Sequence, residues 1–104
     1  MKIFISQPMR GKTDAEILAE REQAIKAAKA KWGDGVEVLE SFFQGAPAEA
    51  KPLWFLGESL KVMADADAVI LCPNWHLTRG CIVEAAATDR YNIPTFGMVN
   101  GVLC

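Results

Sequence analysis

Residues 67–72, with the sequence DAVILC, form the stretch that decides the fold. After its opening Asp the run is continuously apolar, whereas a strand with one face in water alternates between apolar and polar residues. Pro73 ends the run, whose length is that of a strand rather than of a helix. The pattern therefore predicts the central strand of a parallel sheet, covered on both faces.

The segments on either side of this strand alternate between strand and helix patterns. Thr13 followed by Glu16 is a capping box, which starts a helix, and Pro52 suits the first turn of another helix. Read in this way, the chain has strands at 2–6, 36–43, 67–72 and 93–99, helices over about 13–32, 52–63 and 79–91, and a tail at 101–104. A strand–helix alternation of this kind implies parallel strands joined by right-handed crossovers. We expect one α/β domain, residues 1–104, with a Rossmann-like or flavodoxin-like parallel sheet of four or five strands and helices on both faces.

The composition argues against several kinds of partner. The net charge of −2 comes without the basic stripe that binds nucleic acid polymers. The longest apolar run is far shorter than the about 20 residues of a membrane span, and residues 1–9 lack the apolar region of a secretory leader. Three cysteines without a Cys-x-x-Cys pair indicate reduced thiols, and one histidine, His76, does not make a zinc site. We therefore expect a cytoplasmic protein with no metal, no cofactor, no nucleic acid polymer and no membrane as partner.

Two loops of the predicted sheet should meet at one edge. The loop SQPMRGK at 6–12 follows the first strand, and the loop PNWHLTRG at 73–80 follows the third. Both leave the carboxyl ends of parallel strands, where ligands bind in open α/β sheets. Phe42 and Phe43 end the second strand at the same edge, and strand alternation lets only one of them face a ligand.

Glu84 is a lone carboxylate within the apolar sequence CIVEAAA. It lies in the first turns of the third predicted helix, where the helix dipole stabilises an anion. Gly80, one turn earlier on the same face, leaves open space in front of the carboxylate. Arg79 can pair with Glu84 or with a ligand anion, and Trp75 offers a flat face to a ring. Glu84 is thus either a ligand-facing group or a structural residue, on the surface or paired with Arg79 or Arg90.

Two longer motifs resemble a known family. KIFISQPMRGKTDAE at 2–16 resembles the first strand and nucleotide loop of the nucleoside 2-deoxyribosyltransferase-like superfamily. ADADAVILCPNWHLTRGCIVEAAATDRYNIPTFGM at 64–98 resembles its segment in which an Asp-led strand precedes a Gly-x-x-x-Glu helix, especially in the small phage and bacterial proteins grouped as DUF4406. The resemblance implies an enzyme of the N-glycosidic bond of nucleosides or nucleotides, either a (deoxy)ribosyltransferase or an N-glycosidase.

The resemblance also implies roles for single residues. Glu84 falls on the nucleophilic Glu of the family, and Gly80 on the glycine one turn before it. Residues 9–11 fall on the Ile-Arg-Gly of the nucleotide loop. Ser59 stands where the family has its second catalytic carboxylate, and Thr78 stands where many transferases have an Asp.

The sequence thus predicts a site with one catalytic residue, Glu84, and ten substrate-binding residues: Ser6, Gln7, Met9, Arg10, Gly11, Phe43, Ser59, Trp75, Arg79 and Gly80. The alternative function is a non-catalytic nucleotide-binding or sensing module that keeps the pocket without the acid. A second carboxylate close to Glu84 would favour the enzyme. A solitary Glu84, or one held by Arg79, would favour the binding module.

Four aromatic residues favour a homo-oligomer, a dimer or larger. Trp32, Trp54, Phe55 and Trp75 occupy positions that cannot all fit the core of one small domain. The family that the chain resembles often completes its active site across a contact between copies.

Overall fold

The computed structural model describes residues 1–40 and 48–104. The strands there are β1 (Lys2–Ser6), β2 (Glu37–Val38), β3 (Ala68–Leu71), β4 (Thr95–Val99) and β5 (Val102–Leu103). The helices are α1 (Asp14–Trp32), α2 (Pro52–Met63) and α3 (Arg79–Arg90), with a short 3-10 helix at Trp75–Leu77. In its described part the predicted second strand is reduced to β2, while residues 41–43, among them Phe42 and Phe43, lie outside the described residues.

The five strands form one sheet in the order β2-β1-β3-β4-β5. β1 pairs in parallel with both β2 and β3, and β3 pairs in parallel with β4. β5 pairs with β4 in the antiparallel direction. An α/β fold with a five-stranded, mostly parallel sheet is confirmed. The prediction of a purely parallel sheet is wrong, because β5 makes the sheet mixed.

The end of the chain, predicted as a tail, forms the second arm of a β-hairpin. Val99 pairs with Val102 across Asn100 and Gly101, whose φ angles are 52° and 77°. A two-residue type I′ turn needs positive φ at both central residues, and Asn-Gly adopts it most readily. The Asn-Gly pair was therefore a local hairpin signal, which the prediction of a tail overlooked.

The predicted capping box at the start of α1 is confirmed. The Thr13 hydroxyl accepts the Glu16 N–H at 3.2 Å, and the Glu16 carboxylate accepts the Thr13 N–H at 3.1 Å. Arg21 is a buried charged residue of this helix, and its Nη2 donates to the carbonyl oxygen of Leu39 at 2.9 Å. This bond ties α1 to the segment that follows β2.

Two clusters of buried residues lie against β1 and β3. The first core cluster combines strand residues with α1 and contains Ile3, Ile5, Ala24, Ala28, Ile70, Cys72 and Met98. The second core cluster combines the alternate strand residues with α2, and contains Phe4, Met63, Val69 and Leu71, with Ala85 and Ala87 of α3 packed against it. Successive side chains of a strand point to opposite faces. Ser6 therefore shares the face of Phe4, whereas Gln7 continues on the face of Ile5.

The apolar side chains of α2 are only partly covered. Met63 is its buried residue, while Leu53 is 76% exposed, and Trp54 and Phe55 are also exposed. Ile82 and Val83 of α3 are exposed as well, although their sequence predicted an apolar neighbourhood. Among the described residues, no helix combines the length and the apolar character that crossing a bilayer requires.

Candidate functional site

Glu84 is held against the carboxyl end of β1. The Ser6 hydroxyl donates to Glu84 Oε1 at 2.7 Å, and both residues are buried. Ser6 is the last residue of β1 and lies opposite Leu71 of β3 in the parallel register. The carboxylate therefore lies at the sheet edge where the sequence predicted a ligand.

Burial sets the electrostatics of this carboxyl group. Loss of solvent raises the pKa of Glu84 above its usual range, and side-chain hydrogen bonds from Ser6 and Ser59 lower the pKa by a smaller amount. The described residues form ion pairs between Lys12 and Glu20 and between Lys61 and Glu58. Glu84 pairs with neither Arg79 nor Arg90, so the interpretation of Glu84 as the buried partner of an arginine is wrong.

Ser59 of α2 reaches the same carboxyl group. Its hydrogen bond acts on the pKa of Glu84, so the position at which the resemblance expects a second carboxylate does face the first. The two acidic residues near Ser59 in sequence have other surroundings. Glu58 pairs with Lys61 at 3.1 Å, and Asp65 is exposed. In the described part of the chain, Glu84 has hydroxyl groups as neighbours and no second carboxylate among its hydrogen-bond partners.

Cys81 is a member of the site that the sequence analysis missed. Its thiol is buried, and it interacts with the hydroxyls of Ser6 and Thr78 and with the charge of Glu84. Burial is the main cause that raises the pKa of the Cys81 thiol. The spacing of three residues between Cys81 and Glu84 places them on one helix face, and this was the signal available in the sequence.

Gly80 and Arg79 begin α3 beside this cluster. A Cβ atom added at Gly80 would have no heavy atom within 4 Å, so packing does not require a glycine here. Arg79 is exposed, with its guanidinium free of any ion pair to a described carboxylate. Open space at Gly80 and an accessible cation at Arg79 agree with the predicted approach of an anionic ligand.

The predicted nucleotide loop is a tight turn. The Lys12 N–H donates to the carbonyl oxygen of Met9 at 3.2 Å, and Gly11 has a φ of 78°. This is the pattern of a type II turn, which needs glycine at its third position. Arg10, at the second position, is exposed and carries its charge at the tip of the loop.

Gln7 points away from Glu84, as strand alternation requires. Its Nε2 donates to the carbonyl oxygen of Ile17 at 2.6 Å and to Glu20 Oε1 at 3.3 Å. Lys12 bonds to both carboxylate oxygens of Glu20 at 3.3 Å. Gln7 Oε1 is buried with no hydrogen-bond partner in the described structure. The structure thus separates Gln7 from Ser6, and the role of Gln7 in substrate binding stays a prediction.

Trp75 lies in a separate environment. Its ring packs against the second core cluster and lines a cavity with Thr88 and Asp89, a cavity whose lining does not include Glu84. Phe43, the expected base contact, lies outside the described residues. The structure therefore brings Ser6, Ser59 and Glu84 together, and leaves the contacts of Trp75 and Phe43 with a substrate as predictions.

The cluster of Ser6, Ser59, Cys81 and Glu84 offers one carboxyl group surrounded by neutral hydrogen-bond donors. Burial also raises the pKa of the Cys72 thiol, to about 12, so neither Cys72 nor Cys81 offers a ready thiolate. Within the described residues, no three His, Cys, Asp or Glu side chains are grouped as metal ligands would be. A carboxylate without a counter-ion can act as a nucleophile, as a base or as a hydrogen-bond acceptor.

No family model matches the chain, and comparisons with curated proteins and with solved structures also find no match.

Proposed function

We propose that the protein is an enzyme of the N-glycosidic bond of a nucleoside or nucleotide, a (deoxy)ribosyltransferase or N-glycosidase with Glu84 as nucleophile. One observation carries the proposal. A buried carboxylate at the carboxyl end of β1 accepts the Ser6 hydroxyl, has Ser59 beside it, and forms no ion pair with a described cation. A buried, uncompensated charge costs stability, and such groups with shifted pKa values concentrate at functional sites.

The proposal includes a fold of the Rossmann-like or flavodoxin-like kind with helices on both faces. The strand order β2-β1-β3-β4 supports it, because in this order the direction of winding reverses between β1 and β3, and ligands bind at such a reversal. Ser6, at the end of β1, belongs to that point. A cytoplasmic location is part of the same proposal and is supported by the free thiols of Cys72, Cys81 and Cys104.

In the proposed reaction, the Glu84 carboxylate attacks C1′ of the sugar from the face opposite the base. A bond forms between the carboxylate oxygen and C1′, the bond from C1′ to the base nitrogen breaks, and its electron pair leaves with the base. Water then releases the sugar from the ester, or a second base accepts it. This is the logic of a retaining glycosidase, which normally uses a second carboxylic acid to protonate the leaving group.

The leaving base must obtain its proton without a neighbouring carboxylic acid. The hydroxyl of Ser59 is far too weak an acid for this role at neutral pH. We propose that Ser59 and Ser6 orient the Glu84 carboxylate, and that the proton comes from water or from a second copy of the chain. Bases that leave readily without prior protonation should then be the better substrates.

The exposed cations at the same edge support an anionic substrate group. Arg10 at the tip of its turn and Arg79 at the start of α3 are both exposed, and guanidinium groups bind phosphate through paired hydrogen bonds. We therefore propose a nucleoside 5′-monophosphate as the first substrate to examine.

A second candidate function is a non-catalytic nucleotide-binding or sensing module. The observation that favours it is the environment of Glu84, which accepts the Ser6 hydroxyl, has Ser59 beside it, and has no second carboxylate among its described hydrogen-bond partners. Such a module would retain the Arg10 loop and the space at Gly80. It would bind a nucleotide and release no base.

The decisive experiment incubates the protein with mixed nucleosides and nucleoside monophosphates and measures free base by chromatography. We expect base release from the wild type and a loss of at least about 100-fold in Glu84→Gln, with nucleotide binding retained. Glu22→Gln, on the exposed face of α1, is the matched control and should leave the rate unchanged. Undiminished release in Glu84→Gln would exclude this nucleophile, and binding without release by the wild type would establish the sensing module.

Gly80→Ala tests where the ligand approaches. An added Cβ meets no atom within 4 Å, and alanine favours a helix over glycine by about 1 kcal/mol, so the fold should be unharmed. We expect weaker nucleotide binding at a thermal stability that is equal to or higher than that of the wild type. Unchanged binding would show that the ligand does not pass in front of Gly80.

We propose further that the protein forms a homo-oligomer, a dimer or larger. The exposed apolar side chains support this, because α2 carries Leu53, Trp54 and Phe55 and α3 carries Ile82 and Val83. Both helices pack against the same core cluster, on one side of the sheet. Light scattering at micromolar concentration should give at least twice the monomer mass. A monomer mass that persists at higher concentration would contradict it.

A further inference from the structure

The cavity that Trp75 lines lies beside the C-terminal half of α3, next to the first residues of β4. Its volume is about 460 Å³, and it is widely open to solvent. The apolar part of the lining consists of Leu71, Trp75, Ala85 and Ile93, and the polar part of Thr88, Asp89, Asn92 and Thr95. An aromatic wall opposite several polar groups can both hold and orient a ligand.

Most groups of the polar lining accept hydrogen bonds, while the side-chain amide of Asn92 both donates and accepts. Thr88 Oγ1 already donates to the carbonyl oxygen of Ala85 at 2.7 Å, and Thr95 Oγ1 to that of Ile93 at 2.9 Å. Both hydroxyls can therefore only accept further hydrogen bonds. The carboxylate of Asp89 likewise only accepts, and it forms no ion pair with a described cation.

The charge at this cavity is negative. Asp89 is the ionisable residue of the lining. The neighbouring Arg90 is exposed and lies about 100° further around the helix. The indole of Trp75 adds the negative face of its ring.

We propose that this cavity binds a small organic cation, a protonated amine with an apolar body. The apolar body lies against Trp75, and the ammonium group donates to the carboxylate of Asp89, which is exposed. This site is separate from the chemistry proposed for Glu84, so either proposal can fail alone.

The test uses three probes that share one ring and differ in charge: benzylammonium, benzyl alcohol and benzoate. Binding at pH 7 is followed by the NMR signals of the Trp75 indole N–H and the Asn92 amide. We expect saturable binding of benzylammonium at millimolar concentration, with benzyl alcohol weaker and benzoate without effect. Because Asp89 is exposed, Asp89→Asn should weaken benzylammonium by about two- to fivefold. Trp75→Leu should weaken both benzylammonium and benzyl alcohol.

Two control variants test whether binding depends on this cavity rather than on the overall charge of the protein or on Glu84. Asp34→Asn removes an exposed carboxylate between α1 and β2, and two strands, β1 and β3, lie between β2 and β4 in the sheet. This variant should leave binding unchanged. Glu84→Gln should also leave it unchanged. Because Trp75 packs against the core, Trp75→Phe serves as a conservative variant that should keep most of the affinity. Binding of benzoate as tight as that of benzylammonium, an Asp89→Asn variant that binds normally, or no binding of any probe would overturn the proposal.

Discussion

The two ends of the β1–β3 pair each carry a carboxylate, and the two carboxylates have opposite surroundings. At the amino end, the Asp67 carboxylate accepts the backbone N–H of Lys2 at 2.7 Å and is exposed. At the carboxyl end, Glu84 accepts the Ser6 hydroxyl at the same distance of 2.7 Å but is 6% exposed. Hydrogen bonds of equal length thus have different consequences, because water stabilises the charge of the exposed Asp67 whereas burial excludes water from Glu84. Asp67 is an exposed acceptor at one end, and Glu84 is a buried carboxyl group with a raised pKa at the other.

The largest difference between the two ends should appear when the hydrogen bond to Glu84 is removed. Ser6→Ala leaves a buried acceptor short of a donor, which should lower the free energy of unfolding by about 1–3 kcal/mol at neutral pH. The pKa of Glu84 should rise further, because the Ser6 hydrogen bond lowers it. Chemical denaturation and the carboxyl NMR signal of Glu84 measure these effects. In the Glu84→Gln background the same substitution should cost less, and an equal cost in both backgrounds would mean that the bond does not act through the charge.

The second largest difference between the two ends should appear in the pH dependence of stability, to which Glu84 contributes. Its pKa in the folded protein is raised above the ordinary value of 4.5. The favourable contribution of this group to the free energy of unfolding is therefore fully present below pH 4.5 and is lost as the pH rises through the raised pKa. The loss is about 1.4 kcal/mol for each unit by which the folded pKa exceeds the unfolded pKa. The wild type should accordingly lose stability relative to Glu84→Gln across this interval. Parallel stability curves for the two proteins would contradict the buried, ionisable state of Glu84.

The smallest effect is expected at the amino end. Asp67→Asn keeps an oxygen that accepts the Lys2 N–H and removes only an exposed charge, so the loss of stability should remain below about 1 kcal/mol. Thermal denaturation at pH 7 checks this expectation. A loss as large as that of Ser6→Ala would show that exposure is not what separates the two ends.

Local signals predicted most of the elements. The apolar run of β3, the capping box of α1 and Pro52 at the start of α2 each depend on residues close together in the chain, and each is confirmed. The Asn-Gly turn before β5 was equally local. It was overlooked because a strand of two residues has too few side chains to show an alternating pattern.

The sequence by itself determined that Glu84 lies in the first turns of a helix at the carboxyl edge of a largely parallel sheet. It did so because chain direction and strand–helix alternation decide which loops share an edge. Only the tertiary structure decided that Ser6 and Ser59 converge on this carboxylate while Gln7 turns towards Glu20. Ser6 is 78 residues from Glu84 along the chain, and their contact depends on strand register and on how α2 and α3 pack over the sheet.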